Sequence, residues 1–286
     1  MAVENWFIDE IKITDKNLKE LDLLLRTMGI KTTSLKKSHL LRRVRGRMMR
    51  TGYRFFPEYL KFVHSNWEEK KKLQHAFSIN VTRFFRDVEM FNYLQNEIFP
   101  KILARNSTKV IKIWSAGCAD GAEPYTLAIL CNELKLVPSR VEILATDFNQ
   151  ELLNAAQKGI YLTEYLTETP SVIQKKYFTS ESMDKVRISP ILRPFVNFRL
   201  NNITADSMKL YPRFDLILCR NVLIYFSDEQ KKEVIRKFHQ LLKPSGFLIL
   251  GMTEILHSAA REGFIIYMGK FHIYMKDQSK GMNVKM

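Results

Sequence analysis

Cysteine is scarce: Cys118, Cys131 and Cys219 are the three in 286 residues, and none belongs to a C-x-x-C pair. An odd, unpaired set excludes a disulfide framework. The histidines show no ligand spacing, so no metal is expected. Long apolar runs are missing as well. Nothing approaches the ~20 consecutive apolar residues of a membrane-crossing helix, which argues against stable membrane insertion. Glu4, Asp9 and Glu10 precede any long apolar stretch, so the amino terminus does not read as a signal peptide, and a reducing cytoplasm is the expected location. Acid is also short, with 30 Asp and Glu against 45 Lys and Arg, a formal net charge of +15 at pH 7. That balance favours an acidic partner: nucleic acid, an anionic membrane or an acidic protein surface. The deficit is local. Residues 31–54 contain Lys31, Lys36, Lys37, Arg42, Arg43, Arg45, Arg47, Arg50 and Arg54 and no acid at all.

What is present divides the chain. The length suggests about two domains. Up to about residue 105 the apolar positions recur at helical spacing, through Leu18, Leu21, Leu24 and Leu25 and then Leu40, Leu41, Val44 and Met48. A longer helix is expected over roughly 87–104. From about 108 short β-rich runs alternate with helices, the pattern of βαβ units and a mostly parallel sheet. Strands are expected at Val110–Trp114, Val141–Thr146, Phe214–Cys219 and Phe247–Leu250, with two more after Gly263 and Gly269. A helix opens at Pro124, Asn149 caps the next, Gly159 stops it, and Ser227 with Gln230 has capping-box spacing. Residues 160–200 break the alternation. They read as an inserted helix pair and a small antiparallel ribbon near Lys185–Ile188 and Phe195–Leu200. The domains expected are 1–78, helical; 79–105, linker and lid; and 106–286, α/β, with a β subdomain at about 177–200.

Four segments carry chemistry. The first strand runs into Ser115-Ala116-Gly117-Cys118-Ala119-Asp120-Gly121-Ala122-Glu123-Pro124, where glycines between strand and helix let a ligand approach the backbone. The spacing is not the G-x-G-x-x-G of dinucleotide binders, which speaks against a nicotinamide-dependent oxidoreductase. Asp147 ends the second strand, where a carboxylate can accept hydrogen bonds from both ribose hydroxyls; a helix amino-terminal charge is the plainer alternative. Arg220, Asn221 and Tyr225 interrupt an apolar run at the end of the third strand. Upstream, Asn80-Val81-Thr82-Arg83-Phe84-Phe85-Arg86-Asp87 mixes two aromatic anchors with polar groups, either a pinned linker or a lid over a ligand.

These pieces, in this order, resemble the chemotaxis receptor methyltransferase family, CheR. The segments that carry the resemblance are N-V-T-R-F-F-R-D at 80–87, W-S-A-G-C-A-D-G-A-E-P-Y-T at 114–126, A-T-D at 145–147 and A-A-Q-K-G-I-Y at 155–161. F-D-L-I-L-C-R-N-V-L-I-Y-F at 214–226 and L-L-K-P-S-G-F-L-I-L-G-M-T-E at 241–254 complete the set. The resemblance implies a class I, Rossmann-like S-adenosylmethionine methyltransferase domain with a small antiparallel β insertion, preceded by an all-α domain. The implied reaction moves a methyl group from S-adenosylmethionine to glutamate side chains of methyl-accepting chemotaxis receptors. By position, Asn80, Thr82, Arg86, Gly117, Glu123, Asp147, Asn202, Ile203, Asn221 and Val222 would line the cofactor site, with Arg86 and Tyr225 beside the methyl group. The family's helical domain docks acidic receptor helices, a role that would fall to Lys36, Arg43, Arg47 and Arg50; on a helix through residues 35–50 the three arginines share one face, with Leu40, Leu41, Val44 and Met48 packing the other side. Two departures stand out. The glycine loop reads Ala119-Asp120-Gly121-Ala122 where the family usually shows Ser-Thr-Gly-Glu, and the ribbon between Phe178 and Val186 is short. The short ribbon suggests docking without a receptor's carboxy-terminal pentapeptide. Two other functions compete: an RNA methyltransferase, which the positive charge would suit but which often carries an N-P-P-Y-type turn absent here, and a cofactor-binding receptor adaptor without turnover. No nucleic-acid partner is expected, and a monomer is the default.

Overall fold

The computed structural model describes residues 13–27, 37–77, 82–106, 109–204 and 212–278. The chain divides into two compact units, Met1–Val81 and Thr82–Met286.

The first unit holds helices α1 (Asp15–Thr27), α2 (Lys37–Thr51), α3 (Phe56–Ser65) and α4 (Trp67–Phe77). Leu21, Leu24 and Leu25 of α1 share one apolar core with Val44 and Met48 of α2, Tyr59, Leu60 and Val63 of α3, and Leu73 of α4. Pro57 sits in the first turn of α3, where its missing N–H costs nothing. Arg47 corrects the expectation that it shares an open face with Arg43 and Arg50. Residues 40, 44, 47 and 48 form one stripe of an α-helix, so Arg47 falls inside the apolar seam. Its Nε donates to Glu69 Oε1 at 3.0 Å and its Nη2 to Glu69 Oε2 at 2.6 Å, while the Tyr59 hydroxyl donates to Oε1 at 2.7 Å. Arg43 is half-buried and Arg50 exposed.

The second unit begins with a helical segment made of α5 (Val88–Tyr93), a π-helical stretch (Leu94–Ile98) and α6 (Phe99–Arg105). The sequence reads as one helix here. The wide turns come just before Pro100, whose ring would clash with a carbonyl four residues back in a regular α-helix. There follow β1 (Ile111–Ala116), α7 (Ala122–Glu133), β2 (Val141–Asp147), α8 (Gln150–Lys158), β3 (Ile160–Leu162), α9 (Ser171–Tyr177), β4 (Phe178–Ser182) and β5 (Lys185–Ile188). The chain closes with β6 (Val196–Leu200), β7 (Phe214–Cys219), α10 (Asp228–Leu241), β8 (Leu242–Leu250), β9 (Phe264–Met268) and β10 (Ile273–Lys276).

One seven-stranded sheet has the order β6-β2-β1-β7-β8-β10-β9. The first five strands are mutually parallel; at one edge β10 pairs antiparallel with β8, and β9 pairs antiparallel with β10. Central strands are covered on both faces, so they read as continuous apolar runs. In β7, Leu216 and Leu218 enter the core on one face, while Ile217 and Cys219 enter the core on the other. The local signals act as read: Asn149 accepts from the Glu151 and Leu152 amides, Gly159 ends α8 in the left-handed region, and Ser227 and Gln230 close a capping box.

The small antiparallel sheet differs from expectation. It has the order β3-β5-β4 and spans residues 160–188. β6, expected in the ribbon, instead pairs in parallel with β2, from Ile143 beside Val196 to Asp147 beside Leu200. The expected helix pair is one α-helix, α9, with short 3-10 turns at Thr163–Leu166 and Pro190–Phe195.

Glu69→Gln removes the counter-charge of a guanidinium that stays buried, and is expected to cost about 3–5 kcal/mol of first-unit stability. Urea unfolding of the full chain reads this as a lower midpoint; an unchanged midpoint would show that the pair is dispensable.

Candidate functional site

Strand order reverses around β1, with β2 and β6 on one side and β7 and β8 on the other. In open parallel sheets ligands settle in the crevice outside the carboxyl ends of the strands at such a switch point. β1, β2, β7 and β8 deliver Gly117, Asp147, Arg220 and Gly251 to that edge.

The loop after β1 takes a backbone path that ordinary residues avoid: Gly117, Ala119 and Gly121 have φ of 83°, 49° and 92°. Gly117 is required for a second reason, since a Cβ there would lie 2.5 Å from Val222 Cγ2. Asp147 holds this loop. Its Oδ2 accepts from the Ala119 amide at 3.0 Å and its Oδ1 from the Asn149 amide at 2.9 Å. Burial raises its carboxyl above the ordinary range, while the amides of Asn149, Ala119 and Phe148 oppose the shift. A carboxylate has about four lone-pair sites, so Asp147 keeps acceptor capacity for a ribose diol. α7 begins at Ala122, two residues before Pro124, with Glu123 in its first turn. Glu123 accepts from Ser115 Oγ at 2.7 Å and from Arg220 Nη1 at 3.3 Å.

Asp120 is the third acid of this loop. The Tyr165 hydroxyl donates to its Oδ2 at 2.8 Å, and the Tyr161 hydroxyl donates to its main-chain carbonyl at 2.9 Å. Burial, against the relief of the Tyr165 hydrogen bond, pushes its carboxyl up to about 6. Burial first, then the charges of Asp147, Glu123 and Asp120, push the neighbouring Cys118 thiol far up. The field of the loop is therefore negative, which suits a ligand carrying positive charge.

The segment Thr82–Asp87 is anchored rather than loose. Phe84 and Phe85 are buried. The Phe84 ring meets Tyr161 and Phe178 edge-on, with centroids 4.8 and 4.7 Å away. The Phe84 amide donates to the Tyr165 carbonyl at 3.1 Å, the Phe85 amide to Thr126 Oγ1 at 3.2 Å and the Asp87 amide to Glu168 Oε2 at 2.9 Å. Arg220 completes the junction. Its guanidinium donates to Asp87 Oδ2, to the Arg86 carbonyl at 3.0 Å and to Glu123, and lies 5.4 Å from the Phe91 ring centroid. This brings the Arg86 main chain to the end of β7, where Asn221, Val222 and Tyr225 follow.

The sequence-derived set thus gathers mostly on one edge. Thr82, Arg86, Glu123, Asn221, Val222 and Tyr225 are half-buried there. Asn202 lies just past β6, and its Oδ1 accepts from the Thr204 amide and hydroxyl. The Ile203 side chain packs into the core. Asn80 and Lys36 lie outside the described residues. Sequence reasoning missed the organising parts of Arg220, noticed only as a polar interruption, and of Thr126, Glu168 and Glu254, which reach the site across the fold. No group of His, Cys, Asp and Glu suited to a metal occurs among the described residues.

With this geometry in place, comparison with known proteins is informative. Residues 80–270 match the CheR methyltransferase SAM binding domain, and residues 19–78 match the CheR methyltransferase all-alpha domain. The chain is 32% identical over 262 residues to the chemotaxis protein methyltransferase of Borreliella burgdorferi, covering 88% of this chain and 93% of that protein. It is 32% identical over 243 residues to chemotaxis protein methyltransferase 1 of Pseudomonas aeruginosa, covering 82% and 88%. It is 30% identical over 253 residues to the chemotaxis protein methyltransferase of Escherichia coli, covering 86% of each chain.

Asp120→Asn tests the loop's electrostatics. With its carboxyl raised to about 6, folded Asp120 retains a proton that the unfolded chain releases at lower pH. Its contribution to stability is full below about pH 4 and is lost as the pH rises through about 6. The neutral amide escapes that loss, so the melting temperature of Asp120→Asn relative to wild type should rise between about pH 4 and 6 and level off above, by the equivalent of about 3 kcal/mol. A flat difference would show that Asp120 is not held protonated.

Proposed function

The chain belongs to the CheR methyltransferase family, and on that premise we propose that it methylates glutamate side chains of methyl-accepting chemotaxis receptors, giving glutamyl methyl esters and S-adenosylhomocysteine. Residues 80–270 are its S-adenosylmethionine-binding domain. The observation that carries the reading is the acid-lined crevice at the switch point. Asp147 offers acceptors for a ribose, and Asp120 and Glu123 bring negative charge to a ligand with two cationic centres, its ammonium and its sulfonium.

When bound, S-adenosylmethionine supplies an electrophilic methyl group. The protein's tasks are then positioning and exclusion of water. A glutamate side chain has an ordinary pKa near 4.3 and is already ionised at neutral pH, so no general base is needed. In-line placement of nucleophile and methyl can supply several kcal/mol. Arg86 is proposed to orient the acceptor carboxylate through a forked pair of hydrogen bonds. Tyr225, in the 3-10 turn after β7, donates one to it. Excessive grip by Arg86 would stabilise the ground state, so its role is orientation. Thr82, Gly117, Glu123, Asn202, Asn221 and Val222, with the Ile203 main chain, frame the cofactor. Arg43 and Arg50 of α2 remain the candidates for steering acidic receptor helices; Arg47 does not, being committed to Glu69. The reading places the enzyme in the cytoplasm as a monomer.

β4 and β5 pair only from Phe178 beside Ile188 to Ser182 beside Lys185, a hairpin with little edge to grip an extended peptide. Docking is therefore proposed to be independent of a receptor tail. Calorimetry with a receptor carboxy-terminal pentapeptide should show no binding; tight binding would end this part of the proposal.

The main test is transfer of radiolabelled methyl to chemoreceptor-enriched membranes, read as base-labile methanol. Label in receptor bands that base releases is the expected result, and base-stable label would point to another acceptor. Asp147→Asn should weaken S-adenosylhomocysteine binding by about 10–100-fold, because charge-assisted hydrogen bonds are lost. Tyr225→Phe should lower kcat with that affinity nearly unchanged; unaltered turnover would remove Tyr225 from the mechanism.

A further inference from the structure

Glu254 lies in the loop after β8, and its carboxylate is buried. Its donors are four consecutive main-chain amides, those of residues 221–224, and the amide of Gly251. Oε2 accepts from Asn221 and Gly251, both at 2.7 Å, and Oε1 from Val222 at 2.8 Å, Leu223 at 2.7 Å and Ile224 at 3.3 Å. A run of amides pointing at one spot is an anion-binding nest, here filled by a side chain of the protein itself.

The nest shapes the loop that carries Asn221, Val222 and Tyr225. Asn221 is left-handed, with φ of 60°, and the 3-10 turn at Leu223–Tyr225 leaves its leading amides without intrahelical partners. Glu254 supplies those partners. The fit is close, since a Cβ on Gly251 would lie 2.6 Å from Glu254 Oε2 and 2.7 Å from the Asn221 amide nitrogen. The effect reaches the next loop through Val222, whose side chain leaves no room for a Cβ on Gly117. Gly117 in turn opens the loop that Asp147 holds.

We infer that Glu254 is a positioning residue of the methyltransferase site. By clamping the amides of residues 221–224 it fixes Asn221 against the cofactor and Val222 against the glycine loop, and so sets cofactor affinity. Neither the motif nor the site residues derived from it include this role. The inference rests on the reading that the crevice at β1 and β7 holds the cofactor.

Glu254→Gln is nearly isosteric but turns an amide NH₂ toward donors. On the full chain, two readouts are needed: hydrogen exchange at residues 221–224 and calorimetric binding of S-adenosylhomocysteine. The variant should exchange those amides faster, with β1 and β2 unchanged, and bind about tenfold more weakly. Asn221→Ala should also cost less affinity in the Glu254→Gln background than in wild type, the non-additivity of residues acting as a unit. A general loss of structure would not produce that coupling. Wild-type affinity in Glu254→Gln, or strictly additive costs, overturns the inference. If Glu254→Gln does not fold, Glu254→Asp, which keeps the charge on a shorter arm, should give intermediate values, and wild-type values there overturn it equally. A wild-type chain that fails to bind S-adenosylhomocysteine would instead sink the cofactor reading.

Discussion

Arg220 stands at the carboxyl end of β7 with its guanidinium almost wholly buried, and segments distant in sequence meet on it. Asp87 and the Arg86 carbonyl come from the strap before α5, Glu123 from the start of α7 and the Phe91 ring from α5. A lone buried cation would cost several kcal/mol. Two carboxylates, a carbonyl and an aromatic face offset that cost only if all arrive in the right place. The guanidinium therefore acts as a template. It holds residues 82–87 against the sheet edge, turns Glu123 toward Ser115, and places the Arg86 main chain next to the loop that carries Asn221 and Tyr225. Lysine could not satisfy this set, because its ammonium lacks the planar fork that reaches several acceptors at once.

The strap and both loops share a second constraint, in the backbone. Left-handed conformations at residues other than glycine occur at Phe85, Asp87, Ala119 and Asn221 on this edge. Each costs on the order of 1 kcal/mol and persists only where surroundings enforce it. The enforcement takes one form throughout, a side chain accepting the strained residue's own amide. Thr126 takes Phe85, Glu168 takes Asp87, Asp147 takes Ala119 and Glu254 takes Asn221. The acceptors come from α7, from the loop before α9, and from the ends of β2 and β8. Strain gathers at the carboxyl ends of the strands, and the rigid layers around the crevice supply the restraint. Three of the four acceptors are carboxylates, so the restraint also contributes to the negative field.

Legibility in the sequence followed the range of each interaction. Asn149, Gly159 and the Ser227–Gln230 pair act within a turn of their own position, and the sequence places them correctly. The apolar run Phe214–Cys219 is a central strand because both its faces are covered, which composition alone reveals. Val196–Leu200 alternates like a surface ribbon, and nothing local says that the partner of β6 is β2. Nine uncompensated cations suggest an open face for Arg47, while its counter-charge lies 22 residues away in α4. Glu254 closes one of the motifs that carry the resemblance, but nothing local gives its role; four of its donors lie some 30 residues upstream and meet it only when β7 and β8 pair. The family resemblance draws these segments together, and the long-range contacts explain how the crevice they line keeps its shape.

The charge of +15 is spread unevenly along the chain, and the difference bears on chemistry. Residues 31–54 hold nine of the 45 Lys and Arg and no acid, less Arg47, which Glu69 neutralises. The crevice at the strand ends carries Asp87, Asp120, Glu123, Asp147 and Glu254, with Arg220 engaged by the first and third. A ligand with ammonium and sulfonium centres is favoured by the second surface and repelled by the first. A carboxylate-rich helix is favoured by the first and repelled by the second. Methyl transfer between these two reactants removes one charge of each sign as it proceeds. An acid-lined site that binds the cation tightly would oppose that neutralisation by stabilising the charged ground state. It favours turnover only if its carboxylates are already spent on internal partners, as Glu123 is on Ser115 and Arg220, and Glu254 on the amides of the Asn221 loop.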